Sequence, residues 1–137
     1  MTGERRGRGV VLVVDDEEYH RLLYQEELED NGYDVLVAES GPRALEIVGS
    51  TKVDVVVLDI AMPGMDGVET LSRLLNINRQ LPVILHTAYS DFRDDFTTWV
   101  AAAYVIKSSD LSPLIATIEE VLANKAVATL PPAPAAA

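Results

Sequence analysis

The chain has 137 residues, of which 48% are hydrophobic and 24% charged, and its formal net charge is −11. The length predicts one domain, and the composition is typical of globular proteins. The absence of cysteine excludes disulfides, thiolate catalysis and zinc–cysteine sites. The negative charge argues against direct nucleic-acid binding. The sequence shows neither a membrane-length apolar run nor a signal-peptide pattern, so we expect no membrane association and a cytoplasmic location.

Three parts are predicted along the chain. Residues 1–8 contain three arginines and are expected to form a flexible basic leader. Residues 9–125 are expected to form the folded domain. Residues 126–137 are rich in proline and alanine, a composition that predicts a linker or a disordered tail.

Five apolar runs alternate with segments of helical periodicity, which predicts a parallel sheet covered by helices on both faces. The predicted strands are Val10–Val14, Tyr33–Ala38, Val53–Leu58, Pro82–His86 and Ala102–Ile106. Apolar residues at helical spacing mark five helices: Leu23, Tyr24 and Leu28; Ala44, Leu45 and Val48; Val68, Leu71, Leu74 and Leu75; Phe92, Phe96, Trp99 and Val100; and Leu111, Leu114, Ile115, Ile118 and Leu122. Turn residues in "NGYD" and "SGP" end the first helix and begin the second. The order of elements predicts a doubly wound (βα)5 fold of the α/β class.

Polar side chains follow four of the predicted strands. Asp15 and Asp16 follow the first strand, Asp59 the third, Thr87 the fourth and Lys107 the fifth. Ligands of open α/β sheets bind beyond the carboxyl ends of the strands, so these groups converge if the four strands are neighbours. Each residue alone is more typical of a turn, a helix cap or a solvated surface. The coincidence of five such residues favours a functional site.

The chemistry of such a site follows from its charges. Three carboxylates in a partly dehydrated cleft repel one another unless a cation compensates them. Oxygen ligands of this kind favour Mg²⁺. A phosphoryl group beside the metal would meet Lys107 and Thr87 on its other side, and Asp59 is the natural nucleophile because carboxylates form acyl-phosphates.

Four motifs together carry a family resemblance. The segments "VLVVDDE", "VVVLDIAMPGMDG", "PVILHTAYSD" and "AAAYVIK" resemble, in order and broadly in spacing, the receiver domains of bacterial response regulators in two-component signalling. The resemblance covers essentially the whole folded domain. It implies a flavodoxin-like sandwich with the strand order 2-1-3-4-5.

The resemblance also implies how a phosphoryl group is accepted. Asp59 resembles the phosphoacceptor, which takes the group from the phosphohistidine of a sensor histidine kinase or a phosphotransfer protein. Asp15 and Asp16 resemble the acid pair that binds Mg²⁺ together with Asp59. The backbone carbonyl of Ala61 would be a further metal ligand.

A switch is implied as well. Lys107 and Thr87 would contact the phosphoryl oxygens, and Tyr104 stands where the family has its switch aromatic. When Thr87 moves towards the phosphoryl group, Tyr104 would turn inward and the surface of the predicted fourth helix, fifth strand and fifth helix would reshape. An output domain or a downstream protein would read that surface.

One residue and one segment depart from the family pattern, and the chain carries two histidines. Ser108 follows Lys107 where the family commonly has a proline in a cis peptide, so we expect a trans bond there. The segment between Thr87 and Lys107 is shorter than usual. His86 is expected to be a core histidine satisfied by hydrogen bonds, and His20 a surface or boundary residue. Neither histidine has the setting of a phosphotransfer donor.

The sequence favours a phosphorylatable receiver that signals by protein contact and is not an enzyme. One alternative is a degenerate receiver that acts as a scaffold without phosphorylation. Another is an aspartyl-phosphate phosphatase of the haloacid-dehalogenase type, but here the acids are adjacent and no insertion is long enough for a cap. A flavodoxin-like cofactor binder would need a phosphate loop after the first strand, where this chain has "DDEE".

Overall fold

The computed structural model describes residues 7–60, 67–88 and 101–128 of the chain. Within these ranges, five strands form one parallel sheet in the order β2-β1-β3-β4-β5, as predicted. The strands are β1 Val10–Val14, β2 Asp34–Ala38, β3 Val55–Leu58, β4 Val83–Thr87 and β5 Ala103–Ile106. All five predicted strands are present with bounds that differ by two residues or fewer. The largest difference is at β3, which begins two residues later than expected.

Helices connect the strands and cover both faces of the sheet. The described ranges contain α1 Glu18–Asp30, α2 Gly41–Ser50, α3 Gly67–Ile77 and a C-terminal helix, Ser112–Ala128. The fourth predicted helix, marked by Phe92 to Val100, lies outside the described residues.

Local sequence signals explain two of these helix boundaries. Beyond α1, Gly32 adopts a φ of 95°, a conformation that glycine accepts without the steric cost of a side chain. At the start of α2, the Ser40 hydroxyl accepts a hydrogen bond from the backbone N–H of Arg43 at 3.3 Å. The turn residues seen in the sequence therefore act where they were expected to.

The sheet separates two apolar layers because successive side chains of a buried strand point to opposite faces. Leu12 and Leu85 face α2 and α3, whereas Val11 and Ile84 face α1 and the C-terminal helix. All four side chains are fully buried. This explains why the strand sequences are nearly continuous apolar runs. The fold is therefore the predicted doubly wound α/β sandwich.

Arg8 and the C-terminal helix lie near the two ends of the described residues. The Arg8 guanidinium donates to the carbonyl oxygen of Asn31 at 2.9 Å and to Glu119 Oε2 at 2.7 Å, and it lies 4.8 Å from the ring centre of Tyr33. The C-terminal helix reaches Ala128.

None of the helices in the described part of the chain is long and apolar enough to cross a membrane.

Candidate functional site

Three carboxylates meet at the carboxyl edge of the sheet. β1 and β3 are paired so that Val14 lies beside Leu58, and the next residue on each strand is an aspartate. Asp15, Asp16 and Asp59 each bring one carboxylate oxygen within 4.8 Å of the others. Asp15 and Asp59 are buried, whereas Asp16 is exposed. The parallel register thus forms the predicted acid cluster.

Lys107 reaches this cluster from the end of β5, an edge strand of the sheet. It follows β5, and its Nζ donates to Asp15 Oδ2 at 2.7 Å and to Asp59 Oδ2 at 3.0 Å. Burial opposes the charge of Lys107, but the hydrogen bonds and the negative charges of the two aspartates outweigh it and raise the pKa of Lys107 above its usual value. The ammonium therefore stays charged throughout the physiological range.

The turn into α1 fixes the position of Asp15. The backbone N–H of Glu17, the residue before α1, donates to Asp15 Oδ1 at 2.9 Å. Arg21 Nη1 donates to the backbone carbonyl of Asp15 at 2.7 Å. The two oxygens of the Asp15 carboxylate thus have different partners, one in the turn and one at Lys107.

Thr87 and Tyr104 occupy the neighbouring strand ends. Thr87 is the last residue of β4, a correction to the prediction that it follows the strand, and it is fully buried. Its carbonyl accepts a hydrogen bond from the backbone N–H of Lys107 at 2.7 Å. Tyr104, on β5, is partly buried and packs against the apolar layer beneath α2 and α3. The roles expected of Thr87 and Tyr104 stay predictions. Ala61 lies outside the described residues, so its role also stays a prediction.

Two histidines and a tyrosine join the site, and sequence reasoning did not assign them to it. His20 is a boundary residue, in agreement with the prediction, with 28% of its side chain exposed, and its Nδ1 lies 3.3 Å from Lys107 Nζ. Tyr24 contacts the rings of both His20 and His86. His86 is buried, as expected, and its burial lowers its pKa to about 4. The sequence did carry one signal: Tyr24 follows His20 by four residues, which places both side chains on the same face of a helix.

Gly67 is a second feature that the sequence did not single out. Its backbone N–H donates to the carbonyl of Ile60 at 2.7 Å at the start of α3. A Cβ atom at this position would lie 2.2 Å from Ile60 Cα and 2.7 Å from the Asp59 carbonyl. Only glycine fits this contact, which holds the first turn of α3 against the backbone of Asp59.

Ser108 organises the loop after Lys107. Its hydroxyl donates to the carbonyl of Asp110 at 2.8 Å and accepts from the Asp110 N–H at 3.1 Å. Asp110 Oδ1 in turn accepts from the N–H of Ser112, the first residue of the C-terminal helix. No cis peptide bond occurs in the described ranges, in agreement with the expectation for a serine at this position.

The acid cluster fits a hard divalent cation. It presents one carboxylate oxygen from each of three side chains at short range. Carboxylate oxygens are ligands that Mg²⁺ prefers, and a protein-bound Mg²⁺ commonly completes its coordination with water. Lys107 partly compensates the same charges. The edge of the sheet thus combines three carboxylates that could hold a cation, two of them buried, with a positive side chain.

Known proteins are similar to this chain in sequence and in architecture. The profile of the response regulator receiver domain matches residues 11–119. The transcriptional regulatory protein ZraR of Escherichia coli K12 is 39% identical over 116 residues, which cover 83% of this chain and 26% of that protein. The chain thus spans about a quarter of the length of this curated relative.

Solved structures agree with the sequence matches. The response regulator protein TrrA from Thermotoga maritima in complex with Mg²⁺-BeF is 39% identical, with a TM-score of 0.80 over 82% of this chain and 98% of that chain. A complex of the histidine kinase ThkA with TrrA gives 39% identity and a TM-score of 0.79, covering 83% of this chain and 98% of the matched chain. The chain therefore belongs to the response regulator receiver domain family of two-component systems.

Proposed function

We propose that this chain is a phosphoacceptor domain in which Asp59 takes a phosphoryl group from the phosphohistidine of a sensor histidine kinase or a phosphotransfer protein. The observation that carries the proposal is the position of Lys107, whose ammonium lies 3.0 Å from Asp59 Oδ2 and 2.7 Å from Asp15 Oδ2. A buried carboxylate next to a fixed cation and two further acids has the parts that phosphoryl transfer requires.

The transfer step follows from this geometry. An oxygen of Asp59 attacks the phosphorus atom, the phosphorus–nitrogen bond of the donor breaks, and the donor histidine keeps the bonding electrons and takes up a proton. Lys107 would then leave the carboxylates for the oxygens of the new acyl-phosphate, and Thr87 would donate a hydrogen bond to one of them. The chain accepts a group in a single covalent step and turns over no metabolite, so we class it as a signalling protein and not an enzyme.

Mg²⁺, when bound, would neutralise charge on the transferred group. We assign it to Asp15, Asp16 and Asp59, with the backbone carbonyl of Ala61 as a further ligand. The oxygen donors of the acid cluster support this assignment, as does the Mg²⁺-BeF complex of the similar protein TrrA.

Phosphorylation would then act through Thr87 and Tyr104. The new charge and acceptor oxygens would draw Thr87 inward, and Tyr104 would move into the vacated space. The surface formed by the predicted fourth helix, β5 and the C-terminal helix would change with it. An output domain or a separate downstream protein would read that surface in the cytoplasm.

The experiment is intact-mass measurement after incubation with acetyl phosphate, with and without Mg²⁺. We expect a Mg²⁺-dependent gain of one phosphoryl group in the wild type and none in Asp59→Asn. Asp30→Asn is the matched control, because Asp30 is an exposed aspartate at the other end of α1. If the folded wild type gains no mass, the proposal is wrong and the chain is a degenerate receiver that acts as an interaction scaffold.

A further inference from the structure

The ammonium of Lys107 has three polar neighbours within hydrogen-bond distance. A lysine ammonium carries three N–H groups and no lone pair. Two of these groups point to Asp15 Oδ2 and Asp59 Oδ2, at 2.7 and 3.0 Å. The third neighbour is His20 Nδ1, 3.3 Å from Nζ. The same Nδ1 lies 3.4 Å from Asp15 Oδ2, so the position of the imidazole proton decides which contact forms. Nδ1 accepts from Lys107 when the proton is on Nε2.

The ring of His20 is held by Tyr24 on α1 and by Glu17, the residue before α1. It stacks on Tyr24, one turn later, with ring centres 5.7 Å apart and planes inclined by 23°. Its Nε2 lies 3.5 Å from Glu17 Oε2, a carboxylate oxygen that faces a proton carried on Nε2. Tyr24 is buried, so the stack is anchored in the core. The imidazole is therefore held in place and is not a freely rotating surface group.

We propose that His20 is a positioning residue of the phosphorylation site, which holds Lys107 beside Asp59 by accepting its third N–H. The proposal rests on the function proposed above. Oxygens of Asp15 and Asp59 that coordinate a divalent cation have less electron density to share with Lys107. His20 is not one of the three clustered carboxylates, although its Nδ1 lies 3.4 Å from Asp15 Oδ2. With its proton on Nε2, the imidazole keeps the Nδ1 lone pair for Lys107. Lys107 thus retains one fixed partner while its two aspartate partners bind the metal.

The first test needs no metal and no phosphorylation. Long-range ¹H–¹⁵N spectra of the ¹⁵N-labelled protein at neutral pH report which imidazole nitrogen carries the proton. The chain has two histidines, so His20→Asn identifies the signals. We expect His20 to carry its proton on Nε2 and its Nδ1 signal to shift in Lys107→Met. A proton on Nδ1, or spectra unchanged in Lys107→Met, would overturn the proposal.

The second test compares phosphorylation rates with acetyl phosphate at saturating Mg²⁺, a small donor that needs no docking surface. His20→Leu removes the acceptor, and we expect the rate to fall about fivefold, the effect of one hydrogen bond. His20→Asn can place an oxygen near the position of Nδ1, and we expect it to recover most of the rate. Leu22→Ala, at an exposed position of α1, should match the wild type.

The outcomes separate the two proposals. Equal losses in His20→Leu and His20→Asn, with both folded by circular dichroism, mean that His20 only packs in the site, and the inference is then wrong. If the wild type is never phosphorylated, the proposed function is wrong. The spectra still decide in that case whether His20 accepts from Lys107. If His20→Leu does not fold, the wild-type and Lys107→Met spectra remain decisive.

Discussion

The rings of Tyr24 and His86 meet edge to face, with centres 5.1 Å apart and planes inclined by 60°. Tyr24 belongs to α1 and His86 to β4, next to Thr87. His86 is 2% exposed, and the same Tyr24 ring stacks on His20. A column of three rings therefore connects the helix beside the acid cluster to the strand that carries Thr87.

The burial of His86 predicts a specific dependence of stability on pH. Burial, together with the charge of Lys107, lowers the pKa of His86 from 6.5 to about 4. The unfolded chain therefore binds this proton at a higher pH than the folded chain does. The stability due to neutral His86 is complete above pH 6.5 and is lost as the pH falls towards 4, by about 3 kcal/mol over the full range.

Urea unfolding of the wild type and His86→Leu at several pH values tests this prediction. The free energy of unfolding of the wild type should decline relative to that of the variant between pH 6.5 and 4. The carboxylates titrate in both proteins, so their contribution cancels in the difference. A difference that is constant with pH would show that His86 does not control this transition.

Replacement of Lys107 should destabilise the metal-free protein. Lys107→Met leaves the buried carboxylates of Asp15 and Asp59 without the ammonium that now contacts both, and loss of one partner of a buried ion pair costs about 3 kcal/mol. Mg²⁺ should restore part of this stability, because it supplies the missing positive charge. We expect its effect to be larger in the variant than in the wild type.

The measurement is the free energy of unfolding in urea with EDTA and with Mg²⁺. Lys52→Met provides the control, since Lys52 is exposed and follows α2. Equal stability of Lys107→Met and Lys52→Met in EDTA would contradict the view that Lys107 compensates the acid cluster.

Asp16 tests the cation site with little effect on the fold, because its side chain is exposed. Mg²⁺ at ten times its Kd should stabilise the wild type by about 1.4 kcal/mol through mass action. In Asp16→Asn one of the three clustered carboxylates is neutral, so this gain should be largely lost. Thermal melts with increasing Mg²⁺ measure the effect, with Asp30→Asn as the control. A full Mg²⁺ response in Asp16→Asn would show that Asp16 does not contribute to cation binding.

The close contact at Gly67 predicts a large effect of a single methyl group. Gly67→Ala would place Cβ 2.2 Å from Ile60 Cα, so the backbone beside Asp59 must shift. We expect a destabilisation of more than about 2 kcal/mol and slower phosphorylation of Asp59. Gly49→Ala is the matched control: it lies near the end of α2 with nothing within 4 Å of the added Cβ, and it should stabilise the helix by about 0.5 kcal/mol. Equal stability of the two variants would contradict the steric argument.

Most of the fold was predictable because buried parallel strands leave a clear pattern. The apolar runs at β1 and β3 are covered on both faces, and the helices between strands show an apolar stripe. Strand bounds were less certain, since the sequence does not show where hydrogen-bonded pairing begins. Val53 illustrates this: it is buried, yet β3 starts at Val55.

The candidate site was predictable in part, for a similar reason. Asp15 and Asp59 follow strands that are neighbours in the sheet, and their positions follow from the strand order alone. His20 and Gly67 could not be assigned from spacing. The role of His20 depends on the rotation of α1 about its axis, and that of Gly67 on the distance between two backbones.

By itself, the sequence determined which strands form, that their carboxyl ends carry acids and a lysine, and that this set of groups suits a cation and a phosphoryl group. These properties depend on residue type and on the order of residues along the chain. Only the tertiary structure decided that His20 Nδ1 lies beside Lys107 and that the ring of Tyr24 contacts the rings of both His20 and His86. The contacts with Lys107 and His86 join residues 62 to 87 positions apart, and packing across the sheet, not local sequence, sets which side chains meet.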